Sequence, residues 1–414
     1  MDLEFTSEQE ELRSSVRAFL AAECPIDLVR QVVEDTIVGA APSESGSPAA
    51  AAPAASAAPP VGALGGGCAS SLTGRAGELW QAMVALDWPA LNVPEECGGM
   101  GLGMAEVALV VEELGAVVAP GPFLATATQF VPAVVAAGTA DQRRRLLAPI
   151  ASGERTGALA VADHPGRWSG GVSATAERTS AGWVLRGVKH MVCAGPQDPS
   201  DVVVVARPTT SEPGIGMFVV PLHRLDVHSE RVLDPSRPLS RVVVDGVEVP
   251  DGDVLGDPGA PTLAAALDRV MAEAALGFAV EIVGTCRSLL DMTIEHAKNR
   301  RQFGVPIGSF QAVKHKMADL YVALERARSL AYYAIAAIDE HDPQAPLAVA
   351  MAKAAADDCQ RVVCRESIQT FGGIGFTWEA DVHLFAKRAM SAGALFGSAR
   401  EHRLTIARLL GACA

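Results

Sequence analysis

The chain has 414 residues, 49% hydrophobic and 20% charged, about two to three domains' worth of globular protein rather than a disordered chain. Its formal net charge of −14 argues against nucleic acid or an anionic membrane surface as a partner. No run approaches the ~18 consecutive apolar residues of a membrane span, and the acidic start MDLEFTSEQEELRSS is unlike a secretory signal. The eight cysteines form no C-x-x-C pair, and no His/Cys cluster has metal-ligand spacing. They read as reduced thiols of a cytoplasmic protein, with no metal site.

In chain order, Thr6 or Ser7 followed by Glu8 and Glu10 marks a helix start, and Leu12, Val16, Phe19 and Leu20 form its apolar face. From 40 to about 72 the composition falls to Ala, Pro, Ser and Gly, which cannot bury enough surface to offset its ordering entropy; a disordered surface insertion is expected. Helical patterning resumes at Glu78 and continues through Leu86. The glycine-rich stretch 94–103 lacks the lysine of a phosphate-binding P-loop and gives way to a helix over 104–117. A further helix pair reaches Ala151, so 1–155 reads as a helical domain.

Near 156 the period changes. Short β-branched runs at 157–162, 183–187, 201–205, 216–220 and 241–245, separated by Gly, Pro, Asp and Ser, predict a small barrel or sandwich over 156–255. Helices return over 256–414, beginning with a long Ala- and Leu-rich helix at 262–299 that Pro261 suits at its start. Leu263, Leu267, Val270, Ala274, Gly277 and Gly284 lie on one stripe of it. The expected fold class is α+β, multidomain.

At the end of that helix stands Asn299-Arg300-Arg301-Gln302-Phe303-Gly304-Val305-Pro306-Ile307-Gly308-Ser309-Phe310-Gln311, followed by Ala312-Val313-Lys314-His315. This run resembles the signature of the acyl-CoA dehydrogenase family, whose helical, β, helical domain order the whole chain follows. The resemblance implies FAD as hydride acceptor, an acyl-CoA or carrier-bound acyl thioester as substrate, and an electron-transfer flavoprotein as electron partner. It also implies a homo-oligomer, or a hetero-oligomer with a sister subunit.

In the family FAD lies between the β domain and the C-terminal helices and reaches a neighbouring subunit. The matching positions here are Arg300, Gln302, Phe303 and Gln311, then Gln369, Gly372 and Gly373. Their side chains suit a dinucleotide, since a guanidinium forks onto a pyrophosphate, amides read ribose or adenine edges, and glycines permit close backbone approach. In the β domain the matching positions are Val161 and Ala162, where the family's usual threonine is replaced, and Met191 and Cys193, where a Trp-x-Thr is usual. Ser398 lies in the turn that follows the usual base.

The family's general base, a glutamate, corresponds to Phe396, and the alternative position on the long helix to Ala274. Neither residue can take a proton. Glu281, seven residues past Ala274, lies within about 20° of the same stripe and roughly 10.5 Å further along. A carboxylate on an apolar stripe is either paired with a cation or functional, so Glu281 reads as half of an ion pair, as a flavin or substrate contact, or as the candidate general base. Asp268 and Glu401 are weaker candidates. The run 378–383 resembles a subgroup associated with bulky or steroid-like acyl chains, some of whose members are mixed tetramers with one base-deficient subunit. There Glu379 and His383 are spaced to pair on a helix face. Three functions stay open: an acyl-CoA dehydrogenase with an unusual base, a base-deficient partner subunit, and a tailoring enzyme for carrier-bound substrates.

Overall fold

The computed structural model describes residues 5–39, 74–168, 171–195, 198, 200–209 and 214–412. The insertion expected at 40–72 lies outside them. Helix α1 (Ser7–Glu23) begins at Thr6, whose hydroxyl accepts from the Gln9 amide while the Gln9 side chain accepts from the Thr6 N–H. Helices α2 (Ile26–Gly39), α3 (Gly74–Val84) and α4 (Met104–Ala116) follow. Next, α5 (Phe123–Ala125) runs through a π turn at Thr126–Phe130 into α6 (Val131–Ala137), and α7 (Ala140–Ala151) ends the first helical part.

The β part holds β1 (Thr156–Ala160), β2 (Thr175–Thr179), β3 (Gly182–Val192), β4 (Ser200–Pro208), β5 (Gly216–Pro221), β6 (Asp226–Ser229), β7 (Ser240–Val249) and β8 (Val254–Leu255). Their order is β6-β7-β3-β2-β4-β5-β8, with β1 parallel to β4. The sequence allowed a barrel, and the structure corrects that: the path ends at β6 and β8 and does not close. Those end strands, four and two residues long, pair with β7 and β5 and not with each other among the described residues. Strand β4 explains the valine run at 202–205. Val202 and Val204 enter a small core inside the β part, while Val203 and Val205 face the helices, so both faces are dry.

Helix α8 (Pro261–Asn299) is the axis of the molecule and is buried on all sides from Ala274 to Cys286. It crosses α4 so closely that a Cβ on Gly284 would meet the Glu112 carbonyl oxygen at 1.9 Å, and one on Gly115 would meet that of Glu281 at 2.4 Å. After α8, β9 (Arg301–Gln302) and β10 (Val305–Pro306) form a hairpin whose tip, Phe303-Gly304, has φ of +53° and +80°. Helices α9 (Gln311–Asp339), α10 (Ala345–Phe371), α11 (Val382–Ala394) and α12 (Ala399–Leu409) complete the bundle. Among the described residues no helix is long and apolar enough to cross a membrane.

Candidate active site and flavin-holding surfaces

A cleft of about 590 Å³, counting its open mouth, lies between the β part, α8 and the turn at 119–125; Cys193, Arg237, Phe278, Glu281 and Arg388 line it. Beneath it is a buried ionic cluster. Arg388, on α11, donates from Nη1 to Glu281 Oε1 at 3.1 Å and to the Ala119 carbonyl at 3.0 Å. Its Nη2 reaches Ser236 Oγ at 2.7 Å, and its Nε reaches Asp234. Arg237 also donates to Glu281 Oε1. Burial alone would pull the Arg388 guanidinium toward neutrality, but Asp234 and Glu281 raise its pKa above the ordinary value. Burial likewise works against the charged form of Asp234, and the two arginines outweigh it, lowering its pKa. Of the three roles the sequence left open for Glu281, the ion pair is formed. Glu281 Oε2 and Arg237 Nη1 are buried without a partner among the described residues.

Above the cluster a ring stack closes the space. Trp168, from the loop after β1, lies on Phe396 with centroids 4.5 Å apart and planes 23° apart, and Phe396 lies on Phe278 at 5.5 Å and 20°. The Arg237 guanidinium covers Phe278 at 5.1 Å. The loop carrying Phe396 is tied by its carbonyls. Trp168 Nε1 donates to Ala394 at 2.9 Å, His402 Nε2 to Phe396 at 3.0 Å, and the buried Lys353 Nζ to Gly393 and Gly397, each at 3.0 Å. Phe396 is held at φ +54°. Ala274 is buried and carries no titratable group.

The sequence-derived flavin positions fall into two sets. Val161, Met191 and Cys193 pack with Trp168 against the helical core, on the face of the β part that looks toward α8. There the Val161 carbonyl accepts from Lys189 Nζ at 3.1 Å and the Ala162 carbonyl from the His190 N–H at 2.8 Å. Met191, at φ +56°, donates its N–H to Glu230 Oε2. Burial pushes the Cys193 thiol up to about 11, so it stays protonated. The neighbouring Gln129 is fully buried, its Oε1 accepting from the Leu159 N–H, in the π turn, where such distortions often mark function. Ser398 caps α12 and its hydroxyl donates to Glu401.

The second set lies at the outer end of the bundle. His296 of α8 stacks on Phe371 of α10 at 4.2 Å, bringing the two motif-bearing helix ends together. Arg300 is exposed, and no side chain or carbonyl engages its guanidinium among the described residues. Gln302 bonds the Arg301 carbonyl and Gln311 the His315 ring, while Phe303 is 93% exposed. Gln369 is exposed, and a Cβ on Gly372 or Gly373 would meet nothing within 4 Å. This open cradle with a free cation fits the adenosine diphosphate end of FAD. Of the inner set Cys193 lines the cleft, and the position matching the family's usual base carries the Phe396 ring, stacked between Trp168 and Phe278, in place of a carboxylate. The expected Glu379–His383 pair is also absent: α11 starts only at Val382, so Glu379 is not on its face.

The fold and these motifs define a three-part flavoprotein dehydrogenase scaffold. The family models for the N-terminal and C-terminal domains of acyl-CoA dehydrogenase match residues 72–154 and 263–411. Acyl-CoA dehydrogenase IpdE2 of Mycobacterium tuberculosis is 34% identical over 312 residues, 75% of this chain and 80% of that protein. Among solved structures, the ChsE4–ChsE5 complex of M. tuberculosis superposes with a TM-score of 0.81 at 22% identity, covering 100% of both chains. A glutaryl-CoA dehydrogenase of M. smegmatis, in complex with FADH2, has a TM-score of 0.79 at 20% identity, covering 99% of this chain and 96% of that one. The chain belongs to the acyl-CoA dehydrogenase family, FAD-dependent oxidoreductases of acyl thioesters.

Proposed function

We propose that this chain serves acyl-thioester oxidation as the base-deficient subunit of a mixed dehydrogenase. Its outer cradle (Arg300, Gln302, Phe303, Gln311, Gln369, Gly372 and Gly373) holds the adenosine diphosphate end of an FAD whose ring sits in a sister chain. The observation that carries this reading is the Phe396 stack. The side chain at the base position is a ring stacked between Trp168 and Phe278, so it takes no proton. The one carboxylate lining the cleft, Glu281, is engaged by Arg388 and Arg237. FAD, when bound, supplies the hydride acceptor; the α-proton goes to the sister's carboxylate. The substrate class is a bulky, steroid-like acyl thioester, supported by the 378–383 run, and an electron-transfer flavoprotein takes the electrons onward.

The test is an anaerobic visible spectrum of the chain alone and mixed with a base-bearing family member, before and after adding acyl-CoAs of increasing size. The chain alone should show no flavin bands that bleach, and the mixed oligomer should bleach. Bleaching by the chain alone would overturn the proposal and send the search for a base back to Glu281.

A further inference from the structure

The arginine at the centre of the buried cluster has no bonding capacity left. Every N–H of Arg388 is taken: Nε by Asp234, Nη1 by Glu281 and the Ala119 carbonyl, Nη2 by Ser236 and the Val118 carbonyl. Its neighbours Glu281 and Arg237 differ. Glu281 Oε2 and Arg237 Nη1 are buried, and neither has a hydrogen-bond partner among the described residues. An unsatisfied buried polar atom costs about 1–3 kcal/mol, and more where its group is charged. Both residues line the cleft, whose other walls include Met83, Leu114, Phe123 and Leu124. An apolar pocket with a few fixed polar atoms is the form small-molecule sites take.

We propose that the cleft recognises a hydroxyl group on its ligand, which donates to Glu281 Oε2 and accepts from Arg237 Nη1. The inference rests on the acyl-thioester reading above and names a group carried on the acyl chain. The two atoms lack one donor and one acceptor, and a hydroxyl brings both on a single oxygen. A ketone would satisfy Arg237 alone and set its lone pairs against the Glu281 carboxylate. A carboxylate would add negative charge to a cluster in which Arg237 and Arg388 already balance Asp234 and Glu281. An unsubstituted chain would leave both atoms unpaired. The pair is also fixed in advance. Arg237 is held by Glu281 Oε1 and lies 5.1 Å from the centre of the Phe278 ring, and Glu281 is held by Arg388. Little ordering is left for the ligand to impose. The ion pair occupies Oε1 and leaves Oε2 for the substrate contact, so two of the roles open to Glu281 coexist.

The test is calorimetric titration of the full chain with three sets of ligands: dodecanoyl-CoA, its monohydroxylated derivatives with the hydroxyl at successive carbons, and the matching ketones. At least one hydroxylated isomer should bind ~10-fold or more tightly than both dodecanoyl-CoA and its own ketone. In Arg237→Leu that preference should vanish, while dodecanoyl-CoA binds as it does to wild type. Equal affinities across the wild-type series would mean that the pair holds an ordered water only. That result would overturn the inference and leave the base-deficient reading, which the flavin spectrum tests, intact. Failure to bind any acyl-CoA would overturn the inference together with the acyl-thioester reading beneath it. A preference that survives in Arg237→Leu would remove the assignment to this pair. The wild-type series decides the matter even if the variant does not fold.

Discussion

Arg388 and Glu281 are both about 98% buried, and each makes sense only through the other and through Asp234 and Arg237. In so dry a place an unpaired charge costs several kcal/mol, which removal of one partner exposes. Glu281→Gln keeps the shape but deletes one negative charge facing two guanidiniums, so it should destabilise the fold by about 3–5 kcal/mol in urea unfolding. A carboxylate waiting to take a proton would behave differently, losing chemistry while leaving stability nearly untouched. Of this cluster the sequence reading singled out Glu281 alone. Glu281 announced itself as a charge on an apolar stripe, and Arg388, four residues from both Leu384 and Ala392, carried the same signal on α11. What one-dimensional periodicity does not encode is that those two stripes face each other. Trp168 gave no signal at all, because it sits in a Gly- and Ser-rich loop with no period to read.

The loop between α11 and α12 is an element defined by its donors rather than by its own hydrogen bonds. Lys353, His402 and Trp168 satisfy two of its carbonyls and the last two of α11, and hold Phe396 in a left-handed conformation that residues other than glycine rarely adopt. Burial, then the nearby Lys353 charge, bring the His402 pKa from 6.5 down to about 4. Between those values the unfolded chain binds a proton that the folded chain refuses. Stability is therefore complete above about pH 6.5 and falls as pH drops toward 4, by roughly 2–3 kcal/mol. Denaturant midpoints at pH 7 and pH 4.5 should show the loss, and His402→Gln should reduce it. At this scale the helices and the β4 valine run followed from period alone. The strands β2, β6 and β8 did not, since TAERT, DVHS and VL are too short or too polar to alternate, and the barrel expectation failed with them.

As a whole the molecule carries the family's motif residues at the outer end of the bundle and departs from the family inside, at Phe396. The Arg-x-Gln-Phe-Gly and Gln-x-x-Gly-Gly motifs were readable because each packs fixed residue types into a few consecutive positions. The ring stack was not, because Trp168, Phe278 and Phe396 are brought together from sites up to 228 residues apart. The distribution of charge across the cradle gives the discriminating experiment. Arg300 is exposed and makes no bond that holds the fold, so Arg300→Ala should leave the unfolding free energy of the isolated chain within about 0.5 kcal/mol of wild type. In the proposed mixed oligomer it should remove the guanidinium assigned to the pyrophosphate, a charge-assisted contact worth about 1.5–3 kcal/mol, and flavin retention through gel filtration should fall by ~10-fold or more. Urea unfolding of the isolated chain and absorbance of the FAD released from the mixed oligomer check the two halves. If the variant kept its full flavin complement in the mixed oligomer, the cradle would not be holding the cofactor, and the half-site reading would fall.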